Sequence, residues 1–143
     1  MLAPKPVVHF NKPVTDVDLH LVLDKIALAL GTNIVVHSGD RDYRPKGSPS
    51  RSLHLSHRAA DLHAPGMSDD LLFNRVQAAK TTIFGSAVNS YQVIHHGKFS
   101  ETEGEHVHIG HYQLIKAFST GPGVSFWVEG ITADGKGVYR KLV

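Results

Sequence analysis

Two short segments limit what this chain can become. Ser52 to Asp61 reads Ser-Leu-His-Leu-Ser-His-Arg-Ala-Ala-Asp, and much later Glu105 to His108 reads Glu-His-Val-His. The first offers imidazoles and a carboxylate. The second offers imidazoles at alternate positions with a carboxylate directly before them. A fold that uses both has to bring them together in space. The chain has eleven histidines and no cysteine. Disulfides and thiolate metal sites are therefore excluded, and any metal must be held by imidazole, carboxylate or carbonyl groups. Histidine abundance raises metal binding in general, and only spacing singles out particular residues.

At 143 residues the chain fits one domain, 1–143, and a domain of this size buries roughly two-thirds of the surface its unfolded chain exposes. The sequence is 41% hydrophobic and 20% charged, ordinary values that indicate neither a disordered nor a fibrous chain. Met1 to Phe10 contains Pro4 and Pro6 and no apolar run of secretory length, and no window approaches a membrane span. The expectation is a protein made in the cytoplasm without an export label and without stable membrane insertion.

Val7 to Phe10 reads as an edge strand. Thr15 or Asp16 can cap a helix that Gly31 ends, with Leu19, Val22, Leu23, Ile26 and Leu30 at helical spacing. Asn33 to His37 is short and β-branched, the pattern of a buried strand. Ser38 to Arg51 is rich in turn formers and carries Arg41, Arg44, Lys46 and Arg51. It reads as a solvated basic loop, placed where it can supply an anion clamp. With Tyr43 as its sole aromatic, it does not make a nucleic-acid surface.

Ser68 followed by Asp69 and Asp70 starts a second helix with negative charge at its positive end, and its stripe of Leu72, Val76, Ala79 and Ile83 runs to Gly85. Tyr91 to His95 and His106 to Tyr112 read as strands joined by a polar turn from Gly97 to Gly104. Val124 to Glu129 and Val138 to Leu142 form a hairpin around Ala133 to Gly137, with Trp127 assigned to the core.

On a strand, His106 and His108 project from the same face, where one or both can reach a metal. The spacing of His54 and Asp61 puts them on one face of a helix but on opposite faces of an extended strand. A third arrangement places His54 on a loop and Asp61 on the strand that follows. Two neutral nitrogens and one carboxylate oxygen would leave the fourth tetrahedral position open, as a catalytic zinc requires.

Ser52-x-His54-x-x-x-x-Ala59-x-Asp61, followed by an acidic residue and His-x-His at Glu105 to His108, resembles the zinc D-alanyl-D-alanine metallopeptidases. That family comprises D-Ala-D-Ala carboxypeptidases and dipeptidases and the L-alanyl-D-glutamate endopeptidases of phage lysins, all acting on peptidoglycan peptides or their precursors. Ser38-Gly39-x-Arg41 is similar to the family's Ser-Gly-x-Arg strand end. The resemblance runs from about Val35 to His111. It implies an α+β fold of the hedgehog/DD-peptidase type, a small central antiparallel sheet with helices packed on one face.

Carried over by position, the resemblance implies Zn2+ bound by His54, Asp61 and His108, with Glu105 as the catalytic acid or base. Arg41 would steady the substrate and its developing charge. Ser52 would lie on the substrate side, and His106 would sit at the catalytic centre near the metal without ligating it. Ala59 is the small residue that lets the segment pack. Two positions depart from the pattern: His57 stands where the family has a glycine, and Gly110 where an aspartate often follows the His-x-His pair. His57 would either crowd the turn or offer a rival ligand.

The expected activity is zinc-dependent hydrolysis of an amide bond in peptidoglycan stem peptides or cross-links. The expected protein is a monomeric phage endolysin, or an injected toxin with its own immunity protein, acting in the periplasm or cell wall. One alternative is a zinc-binding module of the same fold without turnover. Another takes His106-Val107-His108 as the triplet of a single-strand DNA nuclease, which would need a tyrosine nucleophile on a nearby helix, whereas Tyr91, Tyr112 and Tyr139 fall in expected strands.

Overall fold

The computed structural model describes residues 5–40, 57–85, 90–96, 105–112, 123–131 and 137–142. In chain order the elements are β1 (Val8–Phe10), α1 (Val17–Leu30), β2 (Ile34–Ser38), β3 (Ala59–His63), α2 (Asp69–Ala78), α3 (Lys80–Phe84), β4 (Ser90–His96), β5 (His106–Tyr112), β6 (Gly123–Ile131) and β7 (Gly137–Lys141). Arg41, Ser52 and His54, the expected turn over 97–104 and the hairpin tip at 133–136 lie outside the described residues.

Helix α1 begins where an Asp16 carboxylate oxygen accepts the Leu19 backbone N–H, and it ends at Gly31, which adopts φ 64°. Its buried stripe is Leu19, Val22, Leu23, Ile26 and Ala27, with Leu30 packed at the margin. The helix expected from Ser68 to Gly85 is broken in two. Ser68 caps α2 by accepting from Leu71, but Ala79 leaves helical geometry at φ −98°, ψ 17° before the short α3. The β-branched pair Thr81-Thr82 just beyond favours helix weakly. The break turns both Ile83 and Phe84 into the core alongside Leu72, Phe73 and Val76.

The strands form one seven-stranded sheet in the order β1-β2-β3-β5-β4-β6-β7. The chain is α+β, but the sheet is larger than expected and mixed rather than antiparallel. β1 runs parallel to β2, as the intervening α1 crossover requires. β6 runs parallel to β4 because it returns to the edge of β4 opposite the one β5 occupies. The remaining neighbours are antiparallel, including the expected β6–β7 hairpin. No helix among the described residues is long and apolar enough to cross a membrane.

Strand alternation divides the sheet into two unlike faces. Ile34, Val36, Ala60, Leu62, Val107 and Ile109 point to one side, where they join Val93, Phe126 and residues of all three helices in a single hydrophobic core. Fully burying side chains of this kind contributes about 1.5–3 kcal/mol each. The registered row on the other side runs Asp61, His108, Ile94, Trp127 across β3, β5, β4 and β6. Trp127, expected in the core, is half-buried on this second face, and its indole N–H donates to Ser125 Oγ at 3.0 Å. The phase of β6 decides this: Phe126 takes the core position and Trp127, one residue on, takes the opposite side.

Candidate metal centre on the polar face of the sheet

Asp61 and His108 occupy paired positions on β3 and β5. A helical reading of this part of the segment is therefore removed, and Asp61 stands on the strand. Its Oδ1 lies 3.0 Å from His108 Nδ1 and 3.4 Å from His106 Nε2. All three side chains are buried, with Asp61 2% exposed. A carboxylate taken out of water at this depth is costly unless it is paired and hydrogen-bonded; the hydrogen bond to His108 and the close approach of His106 contribute to that.

Further imidazoles extend the cluster. His96 stacks on His106 at 4.5 Å between ring centroids and meets the edge of His108 at 6.0 Å. His37 approaches His63 at 5.4 Å and His106 at 5.8 Å. The sequence reading did not assign His37, His63 or His96 to the site. His63 carried a usable signal, since it follows Asp61 by two and so shares its strand face. His96 is placed by its pairing with His106. His37 follows Val35, the register partner of His63, by two and so shares that face.

Two donors bound to a tetrahedral zinc at about 2.0–2.1 Å are about 3.3 Å apart. Asp61 Oδ1 and His108 Nδ1 lie within a few tenths of an ångström of that edge, a separation that their direct hydrogen bond gives equally. Among the described residues, no group of three or more histidine or acidic side chains is set to hold a metal ion. His54, the remaining expected ligand, lies outside them.

His57 has φ 58°, a left-handed backbone uncommon outside glycine. The departure noted at this position thus falls where the backbone itself calls for glycine. Next to it, Arg58 O accepts the backbone N–H of His111 at 2.8 Å, extending the β3–β5 pairing past Ala59. Gly39, at the end of β2, backs onto Pro13: a Cβ there would collide with the Pro13 carbonyl oxygen and meet Val14 Cγ2 at 2.9 Å. Asp40 completes the junction, its N–H bonded to Pro13 O and its Oδ2 accepting from Thr15 Oγ1 at 2.7 Å. This clasp fixes the strand end that leads to Arg41.

Glu105 stands at the bend before β5, and its Oε1 lies 3.5 Å from His95 Nε2. His95 Nδ1 is in turn 3.2 Å from Asp70 Oδ1. At this end of the sheet the first residue of α2, Asp69, has its carboxyl pushed above the usual range by burial and by the charge of Glu105, with His95, His63 and His37 acting in the opposite sense. His63 and His37 therefore lie near an acidic helix start.

The sheet's other face holds a separate pair, with His111 buried and Asp16 partly so. His111 Nδ1 donates to Asp16 Oδ2 at 2.7 Å, and its ring stacks on Tyr91 at 4.7 Å. Tyr91 is 6% exposed and lies on the helix-packed side, away from His106 and His108. It is poorly placed to serve them as a nucleophile. Comparison with known protein families, curated proteins and solved structures finds no match to this chain.

Proposed function

We propose that this chain is a zinc-dependent peptidase of the hedgehog/DD-peptidase type that hydrolyses an amide bond in bacterial cell-wall peptides. The observation that carries the reading is the direct pairing of Asp61 with His108, which brings the two metal-bearing segments of the sequence together on one sheet face. His54, Asp61 and His108 would hold the ion. When bound, zinc supplies Lewis acidity and lowers the pKa of a coordinated water toward about 7.

The protein's own groups divide the remaining work. Glu105 takes a proton during attack on the peptide carbonyl and returns it to the leaving amine. Arg41 offsets negative charge as it develops on the carbonyl oxygen, and Ser52 contacts the substrate beside it. His106, 3.4 Å from Asp61 Oδ1, fixes the orientation of that carboxylate. Trp127, in the same cross-strand row as His108, offers an apolar wall to the peptide. Stem peptides and cross-links of peptidoglycan are the partners. The biological setting is a phage endolysin or an injected toxin acting in the periplasm or wall, the latter with an immunity protein, and the chain works as a monomer.

Digestion of purified sacculi followed by mass spectrometry tests this directly. The expected result is a new amine and carboxylate at one defined bond, abolished by Glu105→Ala with zinc content nearly unchanged. Zinc bound at one equivalent with no cleavage across a broad muropeptide panel would instead indicate a binding module.

A further inference from the structure

His96 lies in register with His106 across β4 and β5, and directly opposed residues of neighbouring strands share one face of a sheet. It therefore stands on the face that carries Asp61 and His108, and it is only 6% exposed. Its ring stacks on His106 with centroids 4.5 Å apart and planes 29° from parallel. The same ring meets His108 edge-on, at 6.0 Å and 86°. These are the two imidazoles that flank Asp61 Oδ1, at 3.4 Å and 3.0 Å. One buried side chain thus packs against both neighbours of the carboxylate.

We infer that His96 is a positioning residue for the metal centre: its ring sets the planes of His106 and His108. The inference rests on the reading of Asp61 and His108 as zinc ligands. An imidazole nitrogen bonds in the plane of its ring, so a ring turned about Cβ–Cγ aims past its partner. Rotation about that bond is broad in histidine and does not fix the plane by itself. Neighbouring side chains have to supply the angle. For His106 they are His96 on its face and His37 at its edge, the latter at 5.8 Å and 84°. For His108 the hydrogen bond to Asp61 is joined by the edge-on contact with His96. Stacked and edge-to-face packing at such separations is the favoured geometry of planar rings. In this role His96 acts through the shape of its ring, without ligating the ion or exchanging a proton.

The test uses the zinc-loaded full chain. His96→Leu keeps a buried side chain but removes the flat ring, whereas His96→Phe keeps a flat ring and removes the nitrogens. In His96→Leu, zinc affinity measured by chelator competition should fall roughly 3- to 10-fold, the loss expected when ring contacts of this kind are removed. With cobalt(II) in place of zinc, the same variant should show altered visible absorption bands, which report the arrangement of ligands around the ion. Its kcat on a soluble muropeptide should fall with KM nearly unchanged. His96→Phe should return affinity and bands toward wild type. A role in folding alone would lower Tm in His96→Leu and leave the cobalt bands as they are.

Wild-type zinc affinity and cobalt bands in a folded His96→Leu chain overturn the positioning role and leave the peptidase reading intact. A His96→Phe chain as impaired as His96→Leu also overturns it, because a nitrogen of His96 would then be what matters. A wild-type chain that binds zinc but cleaves no muropeptide removes the peptidase reading, and affinity and bands still decide the role. A wild-type chain that binds no zinc removes both. If neither variant folds, NMR of the zinc-loaded wild type decides: nuclear Overhauser contacts from the His96 ring to the rings of both His106 and His108 support the role, and their absence overturns it.

Discussion

Asp61 Oδ1 and His108 Nδ1 meet at 3.0 Å across the β3–β5 pairing, both side chains buried on the face of the sheet away from the helices. Loss of either group should remove stoichiometric zinc, read by metal analysis after dialysis. In the zinc-stripped chain, Asp61→Ala should also cost about 1.5–3 kcal/mol in urea unfolding, the usual range for a hydrogen bond to a charged group. Full zinc retention by both Asp61→Ala and His108→Ala would remove these residues from the ligand set.

His57→Gly should stabilise the protein. A left-handed backbone costs a non-glycine residue roughly 1–2 kcal/mol, part of which is returned because glycine has more freedom in the unfolded chain. The expected net effect is a gain of up to about 1 kcal/mol, seen as a higher Tm, with zinc binding retained. A loss of zinc in this variant would show that His57 is a ligand.

Gly39→Ala should act oppositely. A methyl group there meets the Pro13 carbonyl and the Val14 side chain, and overpacking of this kind costs about 1–3 kcal/mol. Because the clasp sets the strand end that leads to Arg41, activity on muropeptides should fall further than stability at the assay temperature explains. A wild-type Tm would mean that the Pro13 segment yields without strain.

Asp16→Ala removes two interactions through one oxygen, the Leu19 cap of α1 and the bond from His111. A lost cap costs about 1 kcal/mol, and a buried imidazole N–H left without its acceptor costs about 1–3 kcal/mol more. His111 Nε2 already lacks a hydrogen-bond partner among the described residues, so the ring has no second hydrogen bond there. Chemical denaturation should show a loss well beyond that of a cap alone. A loss confined to the cap value would mean that His111 finds another acceptor.

Tyr91 sets an alkaline limit. Burial, with the negative charges of Asp18 and Asp16, pushes its phenol up to about 12, whereas an unfolded tyrosine titrates near 10. Between these values the unfolded chain releases the proton first, so stability present below about pH 10 is lost as pH rises toward 12. Absorbance titration should find a phenol that ionises late, and Tyr91→Phe should remove it and flatten the alkaline fall of Tm.

Local chemistry was legible from the sequence. The capping carboxylate of Asp16, the left-handed stop at Gly31, the Ser68 start and the alternation of His106 with His108 depend on residues a few positions apart, and each stands where local rules put it. Alternation also tells which residues of one strand share a face. It cannot tell which residue of a distant strand lies opposite, because that register is set by the packing of the whole sheet.

Tertiary pairing therefore decided what the sequence left open. It placed Asp61 on a strand directly across from His108, gathered His37, His63 and His96 around them, moved Trp127 from the core to the site face, and joined Glu105 to His95. It also made the sheet mixed, through the α1 crossover and the return of β6 beside β4. The residue types that suit a zinc centre are a property of the chain, whereas their convergence on one buried face comes from long-range strand register.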